Sequence, residues 1–206
     1  DMPAECDPDN SITDGTPVAP APGASCGDSI NCAKLILAEP DRVSFGTSWD
    51  ASTGTYRPDA VRHDLEIVAA GNKIQNADSC NNPVVIHPML LNALYQASLK
   101  YTIEVDSFVT THGGTCDPGF YHPQGRAMDI YAVNGIRTAI PSLGGTSGSI
   151  ALDTEFAEYI AQFIPANGEI LQATKCFPFD TQKYPQMDVG RDTCDHVHVS
   201  VGAVQP

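Results

Sequence analysis

Positive charge is scarce in this sequence. Eleven Lys and Arg residues stand against 25 Asp and Glu residues, and the formal net charge is -14. Proteins that bind a nucleic-acid backbone rely on clustered Lys and Arg side chains. The charge balance therefore argues against nucleic acid as a partner.

Long apolar runs are also missing. No run approaches the roughly 18 residues that a membrane-spanning helix needs, so we expect no membrane span. Charged residues make up only 17% of the chain and hydrophobic residues 42%, which is typical of a globular protein rather than a disordered tail. A length of 206 residues suits one domain with extensions.

The seven cysteines include no CxxC unit. Their irregular spacing is more typical of disulfides than of a structural zinc cluster, and it indicates an oxidising, extracellular location reached after removal of an export signal. Sequence does not determine the connectivity. The pairs that bracket plausible loops are Cys26 with Cys32, Cys80 with Cys116 and Cys176 with Cys194, which leaves Cys6 free or paired with another chain.

Composition changes along the chain. Residues 1 to about 30 are rich in Pro, Gly, Ala, Ser and Asp, as in a linker or an extended arm, and such an arm could lie on a neighbouring subunit. A mixed, turn-rich segment follows, with a short helical stretch at 33–39. We therefore divide the chain into an arm and irregular segment at 1–57 and a domain at 58–206.

Helical and strand-like patterns alternate within the predicted domain. Their mixed order predicts an α+β fold in which helices pack on a small, mostly antiparallel sheet. The predicted elements are a helix at 88–100 that begins at Pro88, a strand at 102–110, a loop at 111–124, a strand at 127–133, a helix at 154–164 capped by Asp153, and strands at 168–174 and 196–202.

His122 and Asp129 are candidate metal ligands. The histidine lies in a loop and the aspartate on a predicted strand seven residues later. A catalytic zinc site takes imidazole and carboxylate donors from separate segments and keeps one position open for water. Gly125 permits a sharp turn between the two ligands. Alternation places Asp129 on the face opposite to Met128, so we expect its carboxylate to face a cleft rather than to be buried.

The run DHVHVSV supplies two further imidazoles. On a strand, His196 and His198 share one face while the intervening valines share the other, core-facing side. Together with His122 and Asp129 they provide the His, Asp, His set that zinc accepts, with one more histidine and Asp195 beside it.

The two motifs in this order resemble peptidase M15 and the related LAS group, which includes D-alanyl-D-alanine carboxypeptidases and L,D- or D,D-endopeptidases of cell walls and phage lysins. The similarity covers roughly 84–202. It implies a Hedgehog/DD-peptidase-like fold, a Zn²⁺ cofactor, peptidoglycan stem peptides as substrate and a secreted or phage-borne protein. The residues that carry it are His122-x-x-Gly125-x-Ala127-x-Asp129 and Asp195-His-x-His198, and it implies His122, Asp129 and His198 as the zinc ligands.

The resemblance leaves the general base open. The M15 pattern has a Glu three residues before the last ligand, where this sequence has Asp195. Related enzymes use a histidine two residues before that ligand, which corresponds to His196. Either side chain can take a proton from water whose pKa a zinc ion lowers to about 7.

The family also supplies an arginine upstream of the first motif, and here the sequence departs from it. The corresponding stretch at 110–114 reads TTHGG and offers His112 instead. Tyr121 and Arg126 flank the first ligand and are candidates for substrate contact, although an exposed loop pair is equally consistent with the sequence. His63 and His87 fit no motif, and we assign them no role in the site.

Two functions are consistent with the sequence. The first is a zinc peptidase that cuts peptidoglycan peptides, supported by the complete ligand set and a candidate base. The second is a non-catalytic structural or binding subunit of an extracellular or virion assembly. The Pro-rich arm, the odd cysteine and the missing arginine favour the second, because an arm or a leftover thiol can join a partner chain.

Overall fold

The structure is a computed structural model. It describes residues 23–50, 55–75, 82–109, 121–138, 147–164, 168–170, 176–185, 187, 189 and 194–202. Within this part the fold is α+β, as predicted, with four helices and a mixed open sheet. The elements are α1 (Ser29–Leu37), β1 (Val43–Phe45), β2 (Ser48–Asp50), β3 (Thr55–Arg57), α2 (Ala60–Ala69), α3 (Pro88–Ser98), β4 (Ile103–Ser107), β5 (Ala127–Val133), β6 (Ile136–Arg137), α4 (Ser147–Ala161), β7 (Glu169–Ile170) and β8 (Val197–Ser200).

The central sheet has the strand order β1-β4-β5-β8-β7, and the short β6 also pairs with β5. All of its pairs are antiparallel except β1 with β4, which run parallel. β2 and β3 form a separate antiparallel pair. None of the helices in the described ranges has the length and apolar content that crossing a membrane requires.

The core includes elements that precede Pro58, the expected start of the domain. Cys32, Ala33 and Ile36 of α1 are fully or almost fully buried, and α1 packs against α2 and α3. Val43 of β1 pairs with β4 in the central sheet. The helical stretch predicted at 33–39 overlaps α1, whereas β1 and α2 were not predicted.

Helix α3 has the start that its sequence predicts. Pro88 lies in the first turn, where its missing N–H costs nothing, and the His87 side chain accepts a hydrogen bond from the Met89 N–H. Leu91 and Leu94 are completely buried. Leu99 caps the helix and is exposed, so the helix ends two residues before its predicted end at residue 100.

Helix α4 begins earlier than predicted. It starts at Ser147, so Asp153 lies within the helix instead of capping it. Asp153 is only 1% exposed, and Thr154 donates its hydroxyl to the carbonyl oxygen of Ile150 one turn earlier. The capping preference of Asp was outweighed by tertiary packing, since Phe156 and Ile160 on the same helix are fully buried.

Two of the expected disulfides are present, Cys26–Cys32 and Cys176–Cys194. The first closes the chain at the beginning of α1. The second joins residue 194, directly before the DHVHVSV run, to a segment 18 residues earlier. The expected Cys80–Cys116 pair and Cys6 lie outside the described residues, as does most of the predicted arm.

Strand register determines where the candidate ligands lie. Asp129 on β5 is the direct partner of His198 on β8 and of Ser107 on β4. Directly paired residues point to the same face of a sheet. We call this the site face. The opposite face contributes Val105, Ile130 and Val197 to the hydrophobic core.

Candidate metal centre

Three separate segments meet at the site face. His122 begins a single 3-10 turn (His122–Gln124), Asp129 lies in the middle of β5, and His198 lies in β8. Gly125 ends the turn with φ 66°, and its carbonyl oxygen accepts a hydrogen bond from the His87 N–H. A left-handed residue here lets the chain reverse between the two ligands of the first motif, as the sequence predicted.

The donor atoms of the three side chains form a small triangle. His122 Nε2 is 3.2 Å from Asp129 Oδ1 and 3.3 Å from His198 Nδ1, and the last two atoms are 3.0 Å apart. Zinc–ligand distances of about 2.0–2.1 Å in a tetrahedral site put neighbouring donors about 3.3 Å apart. The cluster therefore could hold one metal ion.

A main-chain contact determines the tautomer of His122. Its Nδ1 lies 2.7 Å from the carbonyl oxygen of Phe108, which can only accept a hydrogen bond. Nδ1 therefore carries a proton, and in the neutral ring Nε2 presents a lone pair to the cluster. Metal-binding histidines usually have this arrangement. His198 differs, because its Nε2 is buried without a hydrogen-bond partner among the described residues.

His196 is held in a similar way by its neighbour. Its Nδ1 lies 2.8 Å from a carboxylate oxygen of Asp195, and its Nε2 lies 3.2 Å from Asp129 Oδ1. The Asp195 carboxylate is half exposed, whereas the His196 ring is mostly buried. When His196 is neutral, the proton on Nδ1 is shared with Asp195, and Nε2 faces the cluster as a proton acceptor.

Burial and neighbouring charges shift the pKa values of Asp129 and His198 in the cluster. Burial acts to raise the pKa of Asp129, but positive charge on His122 and hydrogen bonds from three histidines outweigh it and hold the pKa well below its usual value. Burial lowers the pKa of His198, although the hydrogen bond to Asp129 acts in the opposite direction. Without a metal, protons on the histidines supply the positive charge that keeps Asp129 ionised; a bound metal ion would replace them and leave the imidazoles neutral.

The expectation that Asp129 faces an open cleft was wrong. Asp129 is only 5% exposed, and the ligand candidates His122 and His198 are 2% and 5% exposed. The carboxylate is nevertheless not turned into the apolar core, because it faces the three imidazoles. Burial strengthens its interactions with them, since the local dielectric constant is low.

Sequence reasoning missed Asp106 and Ser107, which lie on β4 beside the cluster. Ser107 is the direct partner of Asp129, and its buried hydroxyl has no hydrogen-bond partner among the described residues. Asp106 is the extra residue of a β-bulge between the Val105 and Ser107 pairs. Burial raises the pKa of Asp106, and the charges of Asp129 and Glu104 raise it further. The strand 102–110 was predicted, but a bulge depends on its pairing with β5.

Tyr121 and Arg126, two further predicted residues, lie at the two ends of the turn that carries His122. Tyr121 is partly buried at the start of the turn, and its carbonyl oxygen accepts the N–H groups of Gln124 and Arg126. The Arg126 guanidinium donates to the carbonyl oxygen of Gly202, so it connects the ends of β5 and β8. His112 lies outside the described residues.

Comparison with known proteins does not assign this chain to a family. No family model, no curated protein and no solved structure gives a significant match to this chain. The functional interpretation therefore depends on the geometry of the cluster and on the two sequence motifs.

Proposed function

We propose that this protein is a zinc-dependent peptidase that hydrolyses peptide bonds in the stem peptides or cross-links of peptidoglycan. The observation that carries the proposal is the triangle of His122, Asp129 and His198, whose donor atoms are 3.0 to 3.3 Å apart. The proposal includes the Hedgehog/DD-peptidase-like fold that the two motifs imply.

One bound zinc ion accounts for the arrangement of these side chains better than hydrogen bonds alone. With neutral imidazoles, the lone pairs of His122 Nε2 and His196 Nε2 both face the same carboxylate oxygen of Asp129. Protons or a metal ion must offset this concentration of negative charge. Two imidazoles and one carboxylate are a common ligand set of catalytic zinc. When bound, zinc would lower the pKa of a water molecule and polarise a peptide carbonyl group.

The contacts favour His196 over Asp195 as the general base. His196 Nε2 faces the cluster, whereas the Asp195 carboxylate contacts the far nitrogen of the same ring. In this arrangement Asp195 orients the ring and stabilises the positive charge that it gains on accepting a proton. The two candidates from the sequence thus take complementary roles, a base and its positioning residue.

The peptidoglycan substrate rests on the resemblance of the two motifs to cell-wall peptidases. The two disulfides, Cys26–Cys32 and Cys176–Cys194, support an extracellular place of action, because disulfides persist in oxidising compartments. The proposal therefore describes a secreted or phage-borne enzyme that meets its substrate outside the cytoplasm.

The second candidate is a metal-binding protein without hydrolytic activity that serves as a subunit of an assembly. The burial of all three ligands favours it, because His122, Asp129 and His198 are each at most 5% exposed. Structural metal sites are closed, whereas catalytic sites keep an open position for water.

One experiment separates these candidates. Metal content is measured in purified wild type and in His198→Ala, and both proteins are incubated with peptidoglycan. The peptidase proposal expects about one zinc per chain and release of stem peptides by the wild type alone. Equal release by both proteins rules out catalysis at this site, and zinc binding without release by the wild type supports the assembly subunit.

A further inference from the structure

Two carboxylates lie beside the metal site on the same face of the sheet. Val105 of β4 is completely buried in the core, so Glu104, its neighbour on an alternating strand, points to the site face. Asp106 is the bulged residue of β4, and a bulge redirects the side chain at that position. Asp106 directly precedes Ser107, the strand partner of Asp129, so the bulge lies beside the cluster.

The two carboxylates converge on Gly46. A methyl group at this position would overlap the Asp106 carboxylate and would lie 3.6 Å from a Glu104 carboxylate oxygen. Among the described residues, neither carboxylate forms a salt bridge with a Lys or Arg side chain. The pair is therefore a site of negative charge that the described part of the protein does not neutralise.

A buried hydroxyl points into the same region. Ser107 is only 7% exposed, its Oγ has no hydrogen-bond partner among the described residues, and its register with Asp129 directs it to the site face. Buried polar groups in proteins are nearly always paired. Ser107 follows Asp106 in the chain and is paired with Asp129, so its buried, unpaired hydroxyl indicates that a polar group of a ligand or of water binds beside Asp106.

A small open groove lies next to Glu104, towards the beginning of β4. Its lining residues are Ser44, Thr102, Ile103, Glu104, Ala132 and Gly135. Glu104 therefore borders open space that a group of a ligand can occupy.

We propose that Asp106 and Glu104 form a subsite for an ammonium group of the substrate, so that the preferred peptides carry a free amine beside the bond to be cut. This inference rests on the proposed peptidase function and adds its substrate class. Lysine-like side chains and N-terminal amines share the required chemistry, a compact cation with three N–H donors. Carboxylates that are half exposed can discriminate such a group without the cost of burying an ion pair.

The test uses four probes on the zinc-loaded full chain: Lys-D-Ala-D-Ala, its Nα-acetyl and Nε-acetyl forms, and the diacetyl form. Both kcat/KM and equilibrium binding by calorimetry are measured. Wild type is expected to prefer one singly acetylated probe over the diacetyl probe by about tenfold. That probe identifies the side-chain or the N-terminal amine as the group bound.

The double variant Asp106→Asn/Glu104→Gln should lose the preference for a probe with a free amine. A higher salt concentration should weaken the same preference in the wild type. Glu66→Gln, which removes one exposed negative charge on α2, should leave it unchanged. Asp106→Asn alone serves if the double variant unfolds. Zinc content should not change in any of these variants.

The outcomes separate the two proposals. Cleavage of all four probes at similar rates overturns the ammonium subsite and leaves the peptidase proposal standing. Amine-dependent binding that the double variant loses, without cleavage of any probe, supports the subsite and contradicts the peptidase. Absence of any amine-dependent binding overturns the subsite, and so does a loss of bound metal in the double variant, which would identify the carboxylates as metal ligands.

Discussion

The Nδ1 atom of His122 donates a hydrogen bond of 2.7 Å to the main-chain oxygen of Phe108, just beyond the end of β4. This contact orients the ring so that Nε2 faces Asp129. It also connects the first sequence motif to a strand that the motif does not include. A side chain in a turn thereby acquires the rigidity of the sheet, which is the condition for a preorganised metal site.

Zinc should stabilise the folded protein through this cluster. At a concentration of about 100 times its Kd, a ligand of the native state adds about 2.7 kcal/mol, which for a chain of this size raises Tm by about 5–10 °C. A chelator should reverse the shift in a thermal unfolding experiment. His122→Ala should abolish it, whereas His63→Ala on α2 should keep it. A zinc-dependent shift that survives in His122→Ala would contradict the assignment of this ligand.

His196→Ala should keep the metal and lose activity. Loss of a general base lowers kcat by about 10²- to 10⁴-fold, and the zinc content measured by elemental analysis should stay at one per chain. Asp195→Asn should have a smaller effect, about tenfold, because the ring keeps its place but loses the carboxylate that orients it. If His196→Ala loses zinc together with activity, the residue is a fourth ligand and not the base.

Gly125→Ala should destabilise the fold and weaken zinc binding. A methyl group at this position would lie 2.5 Å from the Val85 carbonyl oxygen, and the residue has φ 66°. We expect a loss of about 3 kcal/mol in the free energy of unfolding, measured by urea denaturation. Gly135→Ala is the matched control, since Gly135 has φ 72° but no atom within 4 Å. It should lose only about 1–2 kcal/mol and keep its zinc affinity. Equal losses would show that close packing against Val85 is unimportant.

Removal of the Cys176–Cys194 disulfide should affect both stability and activity. The bond holds the turn from which Asp195 and His196 extend. Replacing both cysteines by serine should cost about 3 kcal/mol of stability and lower kcat, because the base and its positioning residue lose a fixed anchor. The double serine variant of Cys26 and Cys32, at the start of α1, should lose stability without a change in kcat at a temperature where it remains folded. A normal kcat in the first variant would show that β8 alone positions these residues.

Asp106→Asn should stabilise the metal-free protein at neutral pH. Burial and the charges of Asp129 and Glu104 raise the pKa of Asp106 in the folded state above its ordinary value of 3.8. The carboxyl group therefore contributes its full stability below pH 3.8, and that contribution is lost as the pH rises through the folded-state pKa. Relative to wild type, the variant should gain stability between pH 3 and pH 7, by less than about 1 kcal/mol because solvent screens a half-exposed group. A difference that does not depend on pH would contradict this electrostatic account.

Sequence patterns were most reliable for β5 and α3. Strand β5 has the predicted bounds, 127–133, and α3 ends within two residues of its predicted end. Both present continuous alternation or helical spacing over several residues. Helix α2 was not predicted. Helix α4 was predicted to begin at residue 154 but begins at Ser147, because packing against neighbouring elements outweighed the capping preference of Asp153.

The spacing of residues 122, 125 and 129, together with the alternation in DHVHVSV, was enough to select the donor types and to predict that they meet. Sequence was not enough to show that Asp129 is buried, that Phe108 and Asp195 orient the two imidazoles, or that Asp106 lies beside them. The physical reason is that composition and periodicity are local properties of the chain. Register, bulges and burial arise only when β4, β5 and β8 pair, and those pairings join residues as distant in sequence as Ala127 and Ser200.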